Sequence, residues 1–386
     1  MKGTEKKNRY IPYAELIVFF ASLSFFLSLF YFEVASDIHA HMRMIQGVVS
    51  GSLRPPANFL YYLTVYTLAF FDAYSRWFVF MTPFVLSLSM VAKFSLTRLL
   101  ATRYLRKTLK ENGPSEQVIV FASLSLLLIF SLPSTNAYLG QIPPNVWHNS
   151  TTIFVMPFSI MLFAISYRQL NDPTTKGILL IAILCVLNVI SKPSYFFVFA
   201  AAFPLMLLKN FGLGRQLWLN LLPVLLGASL TVGMYVLIFQ FSYGNLVTGE
   251  SGVAILPLIV WSNFSSNIPL SILLSLVFPV MYFIFYWRDL GKNALLQYAT
   301  LSYMIAIAIF CLVSETGARK FHGNFMWQCV IVAYLLFATT GVLFLEKVSI
   351  LGWKDKRNVV ILLAFAAHLV AGLAYIAKLF ATKNFL

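Results

Sequence analysis

The chain alternates long apolar runs with short polar breaks, and the runs have the length of membrane crossings. A helix needs about 20 mostly apolar residues to cross the hydrocarbon core. Runs of that kind lie at 11–32, 77–97, 118–133, 151–167, 177–190, 194–209, 217–241, 268–287, 294–314, 326–345 and 359–381. The pattern predicts an all-α polytopic membrane protein of about 11 transmembrane helices. It forms a single transmembrane domain over 1–386, with no separate soluble domain, internal repeat or low-complexity linker. The first run is too long for a signal peptide and lacks a small-residue cleavage site, so it reads as a signal anchor.

The stretch 57–71 is the hard case. It is 15 residues long, follows Pro55-Pro56, ends at Asp72 and carries Tyr61, Tyr62 and Tyr66. Counted as a crossing, it would send the basic segment Lys93, Arg98, Arg103, Arg106, Lys107 and Lys110 outside. The N-terminal Lys2, Lys6, Lys7 and Arg9 already mark the inside, and lysine and arginine collect on the cytoplasmic side. The conflict disappears if 57–71 lies in the outer interface, where tyrosine is favoured. The outer loop with interfacial helices then spans about 33–76. Of the 28 Lys and Arg, all but Arg43, Arg54, Arg76, Lys192, Arg319, Lys320, Lys378 and Lys383 fall inside. The N-terminus is expected in the cytoplasm, with segment 93–110 resting on headgroups; the compact length points to a bacterial inner (plasma) membrane.

Composition narrows the class. With 60% apolar and 11% charged residues, a soluble fold of this length could not cover its apolar surface. The net charge of +15 therefore speaks of the anionic leaflet and not of nucleic acid. Cys185, Cys311 and Cys329 sit in apolar runs at spacings that fit neither zinc nor a disulfide framework.

Under this topology the polar chemistry collects in three outer segments. In the first, Ser36 is a candidate N-cap for a helix to about Ser50. Ile38, Met42, Ile45 and Val49 share its apolar sector, and Asp37 and His41 lie one turn apart at its edge. Asp37 has the chemistry of a general base for a hydroxyl, with His41 orienting or tuning it; Asp37 could equally just complement the positive helix end. The string Asp37, His39, His41 has metal-ligand residue types, but positions two apart on a helix diverge. No cofactor is assigned, and a divalent cation would need extended backbone or further ligands. In the second segment, Asn145, Trp147, His148 and Asn149 form an amide-and-aromatic set suited to a carbohydrate; an interface anchor and a helix cap are the plainer alternatives. The third, Glu315 to Trp327, holds Arg319, Lys320, His322 and Asn324. An outer cationic pair suits a lipid phosphate, with Lys192 at another outer turn as a third cation; a Glu315–Arg319 pair is the plainer reading.

This organisation resembles the GT-C superfamily, integral-membrane glycosyltransferases that use polyprenyl-phosphate-linked sugars. Asp37 stands where that family carries an acidic residue soon after its first span. Arg54-Pro55-Pro56-Ala57-Asn58-Phe59-Leu60-Tyr61-Tyr62 is similar to its proline-proline-aromatic entry to the second interfacial helix. Arg76 and Ser191-Lys192-Pro193 resemble its arginine before the second span and a later lysine-containing turn. The paired acidic motif of metal-dependent members is missing, since position 39 is histidine, and no soluble outer domain follows the last span. The resemblance implies inverting transfer on the outer face, with Asp37 as base. Arg319, Lys320 and Lys192 would hold the donor phosphate, and Asn145, Trp147, His148, Asn149, His322 and Asn324 the sugar or acceptor. The implied partners are membrane lipid, a polyprenyl-phosphate sugar and a glycan or lipid acceptor. Two other readings stay open: an O-antigen polymerase or ligase working through Arg319 and His322, and a lipid-linked glycan transporter or flippase, for which Glu15 and His368 are the intramembrane ionisable candidates.

Overall fold

A computed structural model describes residues 13–133, 140–237 and 252–384. The basic cluster Lys2 to Arg9, the start of the first expected span, and Glu250 lie outside them. The described chain is nearly all-α. In order the helices are α1 (Tyr13–Tyr31), α2 (Asp37–Val49), α3 (Leu60–Leu68), α4 (Arg76–Leu109), α5 (Glu116–Leu126), α6 (Ser150–Asn171), α7 (Thr175–Ser191), α8 (Ser194–Phe211), α9 (Arg215–Val236), α10 (Ile259–Phe264), α11 (Ile268–Lys292), α12 (Ala294–Leu312), α13 (Trp327–Leu351) and α14 (Lys356–Thr382). A two-stranded antiparallel sheet, β1 (Val253–Ile255) with β2 (Val313–Glu315), pairs Val253 with Glu315 across the three helices between them.

Among the described residues nine helices are long and apolar enough to cross a membrane; α5 and α7 are apolar but shorter. The chain is a multi-pass membrane protein. At nine residues α3 reaches only about 14 Å and cannot cross; it packs on the bundle and buries Tyr61, Tyr62 and Val65. Crossings end sharply because polar side chains cap them: Ser75 accepts from Phe78 N–H, Asn267 from Leu270 and Asn293 from Leu296.

The bundle is built around α13, whose apolar stretch is 83% buried, while only 22% of the corresponding stretch of α1 is. Leu16, Ile17 and Phe20 of α1 are turned outward, as lipid solvent allows. One expectation needs correcting. Lys93 does not rest on headgroups: α4 continues to Leu109, which puts Lys93 and Arg98 inside the bundle at 4% and 8% exposure. Glu15 turns inward to Arg98 at 2.9 Å and pins α1 to α4, as a charge in hydrocarbon requires.

The most irregular feature follows α5. That helix stops at Leu126, and the described backbone at 127–133 and 140–149 runs unwound through the bundle, almost wholly buried. Its polar groups find partners one by one. Phe130 N–H donates to the His368 carbonyl and Leu132 N–H to the Leu274 carbonyl, each at 3.0 Å. Gln141 Nε2 donates to the Leu132 carbonyl at 2.7 Å, and Ile142 N–H to Ser275 Oγ at 2.9 Å. His368 faces the Phe130 carbonyl through Nδ1 at 2.6 Å and accepts from Phe278 N–H at Nε2, 3.3 Å. That pairing assigns the proton to Nδ1.

The unwound segment passes so close to α14 that only glycine fits at 372. A β-carbon there would lie 1.6 Å from the Leu128 carbonyl oxygen, and backbone cannot yield as a side-chain tip can. Gly372→Ala is therefore expected to destabilise the protein by about 1–3 kcal/mol. Thermal unfolding in detergent checks it; an unchanged midpoint would show that the segment does not pack against α14.

Candidate functional site

Three segments far apart in sequence meet at the start of α2. Asp37 opens α2, with Ser36 as its N-cap residue, although the Ser36 hydroxyl makes no capping bond. The helix buries Ile38, Met42 and Ile45, leaves Val49 exposed and keeps Asp37 and His41 on one side. Asp37 N–H donates to the His148 carbonyl at 3.0 Å, which fastens α2 to the end of the unwound segment. From there Asn149 donates through Nδ2 to Asp37 Oδ2 at 2.6 Å. The same amide's oxygen caps α6 by accepting from Thr152 N–H at 2.9 Å, and it accepts from Lys192 Nζ at 3.0 Å.

Lys192 ends α7 and precedes Pro193, which opens the turn into α8. Its ammonium also reaches Thr151 Oγ1 at 3.1 Å and lies 4.5 Å from the centre of the Trp327 ring. An acid, an amide and a cation thus form one line, Asp37–Asn149–Lys192, over the indole that begins α13. Burial holds the Asp37 carboxyl above its usual value, opposed by the Asn149 hydrogen bond and by Lys192. Lys192 keeps partial exposure as a residue, but its charged end is enclosed, and that burial pushes its pKa down to about 7 while Asp37 pulls it up. The pair is poised with a deprotonatable acid beside a cation that titrates near neutrality.

His41 does not hold Asp37; Asn149 does. The His41 ring stands edge-on to Tyr61 and Tyr62, at 5.8 and 5.5 Å between centroids. Burial, then Lys192, pushes its pKa down to about 3, so it is neutral and offers a hydrogen bond, not a charge. Its Nδ1 and the Ser191 hydroxyl are buried without a protein partner. His39 stacks on Phe30 at 4.8 Å, so the two histidines diverge, and among the described residues no group of three metal-ligating side chains converges.

The amide-and-aromatic segment splits in two. His148 and Asn149 join the site, His148 with burial and Lys192 pushing its pKa down to about 3. Asn145 and Trp147 turn into the bundle. Asn145 donates to the Leu126 and Ile129 carbonyls at 2.9 and 2.8 Å and accepts from Lys93 Nζ at 2.5 Å. Trp147 stacks on Phe130 at 5.8 Å and lies 5.9 Å from Tyr375. Both are occupied closing the broken end of α5.

The third segment stands on β2 beside the start of α13. Arg319 pairs with Glu315 at 3.2 Å, Asn324 Nδ2 also donates to Glu315, and Lys320 Nζ lies 5.3 Å from the Phe321 ring centre. His322 is exposed, held through its backbone N–H to the Arg319 carbonyl at 3.0 Å. Arg319, Lys320 and Asn324 line a narrow cavity with Glu315 that does not include Asp37. The cation that the fold brings to Asp37 is Lys192, and from the third segment it is Trp327 that reaches the site. Sequence reasoning missed Thr151, Ser191, Trp327 and Lys93. Only the break of charge bias at Lys192 and the lysine inside an apolar run at 93 signalled any of this.

No protein-family model matches the chain, and no curated protein matches it.

Asn149 carries both a helix cap and the acid–cation link. Asn149→Ala is expected to cost about 1 kcal/mol of stability and to raise the Asp37 pKa further, because the lost hydrogen bond favours the charged carboxylate. Thermal unfolding and infrared titration of the carboxylate check the two effects.

Proposed function

We propose that the protein is a membrane glycosyltransferase of GT-C type that moves a sugar from a polyprenyl-phosphate carrier to a hydroxyl acceptor at the face bearing α2. In this reading α5 and α7 count as crossings, giving eleven spans with α2 and α3 in the interface, and that face is the outer one of a bacterial inner membrane. The single observation that carries it is the line Asp37–Asn149–Lys192, which puts a base and a cation on one wall at the membrane boundary.

The step needs both. The acceptor oxygen forms its bond to the anomeric carbon from the side opposite the phosphate, giving inversion. The bond from that carbon to the phosphate oxygen breaks, and the lipid phosphate leaves with the electron pair. Asp37 takes the acceptor proton, and Lys192 neutralises charge growing on the phosphate. A carrier joined through one phosphate brings one negative charge, which one lysine matches; Arg319 is already paired with Glu315, which disfavours a diphosphate-linked glycan. His41 Nδ1 and Ser191 Oγ, buried and unpaired by protein, suit sugar or acceptor hydroxyls.

Asp37→Asn is expected to lower turnover by about 10²–10⁴-fold with an unchanged unfolding midpoint; normal turnover would sink the base assignment. The pH dependence has a defined shape. Activity falls on the acid side as Asp37 protonates, at a pH above the ordinary carboxylate value. It falls on the alkaline side as Lys192 loses its proton near 7. Lys192→Arg keeps the charge at all accessible pH, so it should move the alkaline limb upward while the acid limb stays; a profile of kcat/KM against pH decides it.

The unwound end of α5 with Lys93 on Asn145 favours a second reading, since discontinuous helices with buried ionisable groups mark transporters. Movement of a lipid-linked glycan across liposomes that survives Asp37→Asn and stops with Lys93→Met would select it.

A further inference from the structure

Lys93 is a cation inside the bundle with no carboxylate against it. Its ammonium donates to Asn145 Oδ1 at 2.5 Å and lies 3.8 Å from the Tyr334 ring centre. An ammonium has three N–H groups to place; the amide takes one, and the ring offers only its π face. Among the described residues no ion pair includes Lys93, and Glu15 and Glu116, the acids that pair with α4, belong to Arg98 and Arg106. Beside Lys93 is a cavity of about 10 Å³, room for one water-sized occupant. Its lining, all buried, includes Met90, Lys93, Asn145, Trp147, Thr152 and Met156. The Thr152 hydroxyl is enclosed there without a protein partner. Asn145 has no donor to spare, since its Nδ2 already serves the Leu126 and Ile129 carbonyls. The cavity therefore offers two donors, the Lys93 ammonium and the Thr152 hydroxyl.

Charge counting says what they lack. The first turn of α6 stands between two lysines: Lys192 reaches Thr151 Oγ1 at 3.1 Å, and Lys93 shares the cavity with Thr152. The helix start adds its own partial positive charge. Against these stands Asp37, joined to Lys192 through Asn149. The cluster is one anion short, in surroundings where an unpaired charge is expensive. A water would accept from Lys93 and leave the charge in place; an anion accepts from both donors and cancels it. Phosphate, sulfate and carboxylate groups, each of several heavy atoms, are too large for the space. We infer that the cavity is a halide site, holding one chloride ion between Lys93 and Thr152. The ion ties α4 to the first turn of α6. Thr152 N–H donates to Asn149 Oδ1 at 2.9 Å, so chloride also steadies the amide that joins Asp37 to Lys192. The inference uses neither donor nor acceptor and stands apart from the transferase reading.

The test is thermal unfolding of the full-length protein in detergent, titrated with chloride against gluconate at constant ionic strength. Chloride should raise the midpoint by about 3 °C and saturate, and bromide should replace it and give an anomalous scattering peak beside Lys93 in crystals. Thr152→Val keeps the shape and the backbone N–H but loses the hydroxyl; it should raise the half-saturating chloride concentration about tenfold. Lys93→Met should abolish the response. Where Lys93→Met fails to fold, Thr152→Val and the bromide peak decide. Equal midpoints in chloride and gluconate, a response that Thr152→Val leaves unchanged, or a water in place of the bromide peak overturns the inference.

Discussion

Hydrocarbon offers backbone amides no water, so any chain that leaves the helix inside a membrane must find a partner for each exposed N–H and C=O. The break after α5 sets this protein's arrangement through that demand. Asn145 spends its amide on the Leu126 and Ile129 carbonyls, and Lys93 is drawn into the bundle to meet the amide's oxygen, with the Tyr334 ring centre 3.8 Å away. His368 and Ser275 turn from ordinary helix positions into partners for the unwound strand. Once Asn145 faces inward, the chain emerges with His148 and Asn149 at the start of α2, one presenting a carbonyl to α2 and the other an amide to Asp37. The site is a consequence of how the break is closed.

The electrostatics follow the same logic. A lysine with its charge enclosed near Trp327 is costly, and Asn149, Thr151 and the indole face offset only part of that cost, which is why its pKa falls to about 7. A nearby anion lowers the cost further; Asp37 supplies some of it, and a bound phosphate would supply more. Arg319 has no such need, because Glu315 already stands against it. Two cations that look alike in sequence are thus set apart by whether a carboxylate meets them directly, as Glu315 meets Arg319, or only through Asn149, as Asp37 meets Lys192.

Most of the architecture was legible because lipid solvent makes hydrophobic length decisive. The long crossings and the non-crossing stretch at 57–71 follow from run length and the distribution of Lys and Arg. Periodicity alone places Asp37 and His41 on one side of α2 and sets His39 on another, where it stacks on Phe30. The failures cluster where tertiary partners override local pattern. Nothing in the order Asn145, Trp147, His148, Asn149 says that the first two turn toward α5 and α14 and the last two toward Asp37 and Lys192, all four buried. Lys93 reads as the start of a surface segment because charge ends an apolar run in sequence, whereas its partner lies 52 residues away.

The short helix α3 ties these threads together. Too brief to cross, it packs on the bundle and turns Tyr61 and Tyr62 toward His41 while Thr64 and Leu68 cap the space between α4 and α6. One short helix therefore forms both the aromatic side of the site and part of the lining of the apolar space between α4 and α6. Lengthening that segment into a true crossing would erase both at once, since it would fill that space with its own side chains and carry the tyrosines away from Asp37.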